Sequence, residues 1–420
     1  MNKHLVLLIL CFLMGKNTFA ARLYIPMNAE SQKEHLKAYG VAFVALQSGL
    51  SVDWLLNYDG GAFAMEQNEA VERICKLRNV SYQVMADAQY AGILEKIANP
   101  DFNGDIIKLE KAPKIAVYTP KSKLPWDDAV TMALTYAEIP YDKVYDDELL
   151  EDKLSEYDWL HLHHEDFTGQ FGKFWSAYRD FAWYKDDVKL QEGIAHKHGF
   201  KKVSQLKLAV SKKIRDFVAG GGYLFAMCSA TDTYDIALAA DGVDICDLPY
   251  DGDPVDPNAQ QKLNFDACFA FKDFTLDLNP VGNEHSSIDN TYLRVNDESN
   301  DYFTLFTFSA KFDPVPSMLT QNHTTTIKGF MGLTTAFRKP VIKSNIVIMG
   351  ENKSQNEARY IHGEYGKGTF TFYGGHDPED YRHQVGDPPT ELSLHPSSPG
   401  YRLILNNVLF PAAKKKHRKT

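Results

Sequence analysis

Four short apolar runs, spaced by helix-length stretches, constrain what this chain can fold into more than any other feature. Ile115-Ala116-Val117-Tyr118 and Tyr223-Leu224-Phe225-Ala226-Met227-Cys228 are unbroken, while Trp159-Leu160-His161-Leu162-His163 and Thr369-Phe370-Thr371-Phe372-Tyr373 set His or Thr between large apolar residues. Such runs suit strands covered on both faces. Between the first two lie a helix opened by Trp126-Asp127-Asp128 and running to Glu138, and a Lys143-Val144-Tyr145 strand. A long helical region, 170–219, precedes the third and stops at Gly220-Gly221-Gly222. Strands alternating with helices in this way predict an α/β fold with a doubly wound parallel sheet.

Two other regions flank that pattern. Residues 21–110 read as a smaller N-terminal α/β domain, with strands at Leu23-Tyr24-Ile25 and Val52-Asp53-Trp54-Leu55-Leu56 and helices around His35–Gln47 and Glu69–Leu77. It ends in the linker Leu109-Glu110-Lys111-Ala112-Pro113. From about 243 to 360, turn residues and short β-type runs replace the helical windows, which predicts a β-rich insertion in a main domain of 111–412. A closing helix, Pro399–Leu409, leads into a basic tail, 413–420.

Residues 1–20 carry Lys3, an apolar run over 5–14 and a Thr18-Phe19-Ala20 cleavage signal. Ten apolar residues span about 15 Å as a helix, too short for a bilayer, so the expectation is a signal peptide and an exported, periplasmic or extracellular protein with no membrane span. An oxidising compartment permits disulfides, and Cys246 with Cys268 is the pair nearest in sequence, against the alternative of buried free thiols. The formal charge of −10 repels phosphate backbones, which argues against nucleic acid as a partner.

Three segments hold candidate chemistry. Cys228 follows its strand without a break and precedes Ser229-Ala230 at a helix start. A sharp strand-to-helix turn lifts such a side chain above the sheet edge, and the helix N-terminus is expected to favour its thiolate. His376 ends the last strand after Gly374-Gly375, where its imidazole would serve as base, with Asp377 or Glu379 as the orienting acid. The third segment is His161-Leu162-His163-His164-Glu165-Asp166. His161 and His163 face the same way on a strand, a spacing compatible with two metal ligands. A metal needs a third ligand that the sequence does not identify. The segment is therefore read as substrate-binding pocket lining, together with Ser229, and the chain as needing neither metal nor cofactor.

Phe225-Ala226-Met227-Cys228-Ser229-Ala230 resembles the nucleophile elbow of the class I glutamine amidotransferase-like superfamily, and Gly375-His376-Asp377-Pro378-Glu379 resembles its His-Pro-Glu region. Tyr365-Gly366-Lys367-Gly368-Thr369-Phe370 through Asp377 is similar to the closing motif of the trehalose-utilisation branch. The resemblance covers roughly 112–241 and 360–410. It implies a flavodoxin-like sandwich, with Cys228 as nucleophile, His376 as base and an oxyanion site in the loop after His163. Two departures stand out: Asp377 lengthens the spacing from His376 to Glu379, and Ser229 replaces the usual glycine.

Over its whole length the chain also resembles exported bacterial proteins that carry an asparagine synthetase B-type name. Asn2 in place of an N-terminal catalytic cysteine, and the lack of an SGGxDS-type ATP loop, argue against that activity. The sequence thus predicts a hydrolase using Cys228 and His376 on an amide or ester of a small molecule. The alternatives are a non-catalytic carbohydrate- or ligand-binding module lined by His161, His163, Trp175 and Trp183, and a metal-assisted hydrolase built on His161 and His163.

Overall fold

The computed structural model describes residues 21–120, 128–289 and 296–413. The expected signal peptide, Trp126 and Asp127 at the expected helix start, and the tail beyond 413 lie outside the described residues.

The first unit is built on β1 (Ala21–Ile25), β2 (Val52–Leu56), β3 (Ala62–Glu66), β4 (Gln83–Ala86) and β5 (Asp105–Leu109), in the order β4-β1-β3-β2-β5. Every pairing in it is antiparallel. The helices His35–Gln47 and Glu69–Leu77 fall where expected, but the sequence reading lacked three of the five strands. β4 buries only Met85, so it offers no alternation to read. The expected linker is no free tether either: Leu109 ends β5, and the Glu110 N–H donates to the Ala412 carbonyl at 2.9 Å.

The second sheet contains β6 (Ile115–Tyr118), β7 (Asp142–Val144), β8 (Trp159–Leu162), β9 (Tyr223–Met227), β10 (Tyr302–Leu305), β11 (Thr326–Lys328), β12 (Phe337–Arg338), β13 (Val347–Asn352), β14 (Glu357–Tyr365) and β15 (Gly368–Tyr373). Its path is β11-β10-β13-β14-β15-β9-β8-β6-β7, with β12 beside β14. The block β15-β9-β8-β6-β7 is parallel and β10–β14 add an antiparallel wing. The β-rich insertion therefore extends the parallel sheet outward from β15.

Alternate side chains of the parallel block enter two separate cores. Val117, Trp159, Phe225, Met227 and Tyr373 pack on one face with the helices Ala129–Tyr136 and Pro399–Leu409. Ala116, Leu160, Leu162, Leu224, Ala226 and Phe372 pack on the other with Val203–Gly220 and Ala230–Ala239. Both sheet faces are thus buried, which is why β6 and β9 read as unbroken apolar runs. The helix ending at Gly220 stops where Gly221 takes φ +122°, a conformation glycine adopts without a Cβ clash.

The C-terminal helix ties the two units together. Buried Arg402 donates to the Met27 carbonyl at 3.1 Å, to the Tyr39 hydroxyl at 3.0 Å and to the Gly60 carbonyl. Asn406 donates to the carbonyls of Leu319 and Gln321 at 3.0 and 2.8 Å. The N-terminal sheet is consequently seated on the main sheet by satisfied buried polar groups. Of the two readings left open for Cys246 and Cys268, the structure has buried free thiols and no disulfide. Both are free buried thiols, with Cys246 Sγ directed at the Thr168 carbonyl and Cys268 Sγ at that of Asp235, so each is held in its own packing environment.

Three histidines outside the strand-end segments are pressed toward neutrality. Burial lowers His35 to about 3, helped by the Arg402 charge, His323 to about 4 and His362 to about 4. Unfolded histidine titrates near 6.5, so below that pH the unfolded chain binds protons that the folded chain refuses, and stability falls as pH drops from about 6.5 toward 4. Urea unfolding should show this loss, and His362→Gln should lose about 2–3 kcal/mol less than the parent between pH 7 and 4.5. Equal losses would contradict the assignment.

Candidate functional site

The parallel register sets out the site. Leu162 pairs with Ala226, and Met227 with Tyr373, so β8, β9 and β15 run out together at their carboxyl ends. His163, Cys228 and the Gly374-Gly375-His376 turn follow directly from them. Open α/β sheets place ligands at this edge. A larger hollow of about 490 Å³ around Tyr157 and Gly221 lies at the amino ends of β8 and β9, away from these groups.

Cys228 adopts φ +52° between β9 and the helix Ala230–Ala239. A non-glycine residue seldom holds this left-handed conformation, and here it makes the sharp turn expected of an elbow. The turn is pinned by two backbone bonds: the Cys228 N–H donates to the Gly375 carbonyl at 3.2 Å and the Ala230 N–H to that of His163 at 2.9 Å. The Sγ atom accepts from the Leu333 N–H at 3.3 Å. The N–H groups of Ser229 and Thr334 also act on it.

The expected thiolate does not result. Burial pushes the Cys228 thiol up to about 11, more than the three N–H groups draw it down. The other three thiols are shifted further, since burial raises Cys75 to about 12 and sends Cys246 and Cys268 higher still.

Cys228 shares a cavity of about 290 Å³ with His164, His376, His383, Lys173 and Arg382. His376 Nδ1 lies 3.0 Å from His163 Nε2, with the two rings edge to face at 4.5 Å between centroids. The His383 ring stacks on His376 at 4.8 Å. Behind His163 stands Asp128, whose Oδ1 is 3.5 Å from His163 Nδ1 and 3.3 Å from His161 Nε2. His161 Nδ1 is 3.1 Å from the Phe225 carbonyl, which it reaches as a donor. Burial alone would raise the Asp128 carboxyl, but the two imidazoles hold it well below the usual carboxylate range. Burial drives His163 well below its ordinary value and His164 to about 3.

The other candidates occupy different places. Ser229 Oγ donates to the His164 carbonyl at 2.9 Å, tying the loop after β8 to the elbow. Glu165 accepts the His163 N–H at 3.1 Å, and burial raises its carboxyl to about 8. Asp377 turns back into its own loop, accepting the Glu379 N–H at 2.9 Å. Glu379 meets His395 at 3.2 Å. His163 stands next to His376, with Asp128 beyond it.

Sequence reasoning missed Asp128 as a site residue. It marked only a helix start, and that role is also real: Oδ1 accepts the N–H groups of Val130 and Thr131 at 2.7 and 3.1 Å. Leu333 and Thr334 were missed as well, because the loop carrying them belongs to the insertion and contributes backbone N–H groups that any residue possesses. Gly332 in that loop packs so closely that a Cβ there would stand 2.9 Å from the Gly375 carbonyl carbon and the His376 nitrogen.

No family model and no curated protein matches the chain. Among solved structures it is similar to the cytoplasmic protein STM3548 from Salmonella typhimurium, at 11% identity over 72% of this chain and 100% of that one, with a TM-score of 0.35. The cytoplasmic protein STM1381 from Salmonella typhimurium LT2 gives 12% identity, the same coverages and a TM-score of 0.34. Gan42B, a GH42 β-galactosidase from G. stearothermophilus, gives 11% identity over 63% of this chain and 28% of that one, with a TM-score of 0.26. Likenesses at these scores carry neither fold nor function across.

Because asparagine caps a helix about as well as aspartate, Asp128→Asn keeps the cap that Asp128→Ala removes. Urea unfolding should find the alanine variant about 1 kcal/mol less stable than the asparagine variant. Equal stabilities would mean that the cap contributes nothing here.

Proposed function

We propose that this chain is an exported cysteine-dependent hydrolase on a flavodoxin-like, amidotransferase-like scaffold, acting on an amide or ester carbonyl of a small molecule. The observation that carries the reading is the left-handed Cys228 at a strand-to-helix turn, its sulfur under backbone N–H groups and in one cavity with His376. The parallel strands numbered in chain order lie 2-1-3-4-5 across the sheet, which is the flavodoxin-like order and supports the scaffold part of the proposal.

A thiol pushed up to about 11 is protonated at neutral pH, so attack requires a base in the same step. His376 takes the Sγ proton as the C–S bond forms, and negative charge moves to the carbonyl oxygen. Backbone N–H groups near Sγ, from Ser229, Leu333 and Thr334, are placed to stabilise that oxyanion. Collapse expels the amine or alcohol, which receives the proton from His376, and water then cleaves the thioester. His163 holds the His376 ring in place, a positioning role.

A second reading, a non-catalytic carbohydrate- or ligand-binding module, is favoured by the near-complete burial of Cys228, 1% exposed. The two readings part on thiol reactivity. Under the hydrolase reading iodoacetamide labels Cys228 ahead of Cys75, Cys246 and Cys268, and His376→Gln slows that labelling roughly tenfold or more. Labelling of Cys228 no faster than the other three, as followed by peptide mass spectrometry, would remove the hydrolase reading.

A further inference from the structure

In the cluster behind His376, the Val130 and Thr131 N–H groups hold Asp128 Oδ1, but good hydrogen bonds do not account for the two imidazole nitrogens that face it. His161 Nε2 and His163 Nδ1 both point at Asp128 Oδ1, from 3.3 and 3.5 Å. Charge-assisted N–H···O bonds run about 2.7–2.9 Å. These separations are too long for that, and neither nitrogen has a hydrogen-bond partner although both side chains are wholly buried. Two such orphaned nitrogens in a close-packed interior call for a third body. A tetrahedral ion with bonds of about 2.0–2.1 Å to nitrogen and oxygen sets its ligand atoms about 3.3–3.4 Å apart. The three ligand atoms here also lie within 4.8 Å of one another.

The outer partners fit as well. A ligating histidine ordinarily gives its other N–H to a carbonyl or a second polar group. His161 Nδ1 meets the Phe225 carbonyl at 3.1 Å and His163 Nε2 meets His376 at 3.0 Å. Asp128 stands at the start of the helix after β6, and the histidines on and just after β8, so the cluster sits where the strand order reverses. That is the ligand-binding crevice of such sheets. Another acidic cluster of the main domain is explained without an ion: Lys202 Nζ lies 2.6, 3.0 and 2.5 Å from Asp244, Asp251 and Asp253.

We infer that Asp128, His161 and His163 form a binding site for a divalent transition cation of the zinc type, with water completing the coordination. Two imidazoles and one carboxylate are a donor set suited to Zn²⁺ and its neighbours and not to Mg²⁺ or Ca²⁺, which take oxygen ligands. The site rests on its own geometry and not on the proposed hydrolysis, but it bears on it. A cation on His163 Nδ1 leaves the proton on Nε2, to be donated to His376 Nδ1. His376 Nε2 then carries a proton and no longer a basic lone pair, so the loaded site restrains the base.

The test uses the full chain, without a histidine tag, stripped by a chelator and titrated with Zn²⁺ in a calorimeter. One equivalent should bind. Asp128→Asn, which keeps the helix cap, and His161→Gln should each weaken binding by more than the roughly 10–100-fold that loss of an outer partner costs. Co²⁺ in place of Zn²⁺ should give the intense visible absorption of a tetrahedral site in the parent and not in the variants. Far-UV dichroism confirms that the variants are folded, and His196→Gln, at an exposed position, serves as a control that leaves Zn²⁺ affinity unchanged. No stoichiometric binding, or equal binding by the parent and Asp128→Asn, overturns the site whether or not Cys228 proves reactive.

Discussion

Because β9 pairs in parallel with β8 on one side and β15 on the other, three segments far apart in sequence run out of strand at one edge. His163 and His376 are separated by 213 residues and yet stand 3.0 Å apart. Nothing local brings them together. The register does, and it is enforced by two cores that claim alternate side chains of the same strands. A slip of one residue would send Phe225 and Met227 to the wrong face and carry Cys228 away from the Gly375 carbonyl.

The second constraint is burial of polar chemistry. At the edge of the sheet, burial displaces His163, His164, Glu165 and Cys228 toward their neutral forms. Asp128 stays ionised because two imidazoles face it, whereas Glu165, two residues from His163, is raised to about 8 for want of such a partner. Cys228 lies between these cases. Three backbone N–H groups soften the effect of burial on its thiol without reversing it. Under the proposed hydrolysis such a thiol would need an assisting base, and the His163–His376 contact would position it.

The parallel block was legible because its strands are buried on both faces, and an unbroken apolar run followed by a helix has few other solutions. The same reasoning exposed Cys228 and His376, since a residue directly after such a strand emerges at the ligand-binding edge. The antiparallel strands of the first unit were less legible: Gln83–Ala86 exposes most of its side chains, and Ala62–Glu66 has an apolar run of only four residues, too short to tell strand from helix. Asp128 was hidden by its double use. Its cap signal was read, while its approach to His161 and His163 depends on the placement of β6 beside β8. The N–H groups of Leu333 and Thr334 leave no mark in any sequence. The helix N-terminus suggested a thiolate at Cys228 only because the cost of burying charge cannot be judged before the packing is known.

The most direct measurement is a crystal structure of the protein after reaction with iodoacetamide. The account predicts a carbamidomethyl group on Cys228, its oxygen about 2.7–3.2 Å from the backbone N–H of Leu333 or Ser229, and the His376 ring facing the modified sulfur. An unmodified Cys228, or an imidazole more than about 8 Å from that sulfur, would contradict it.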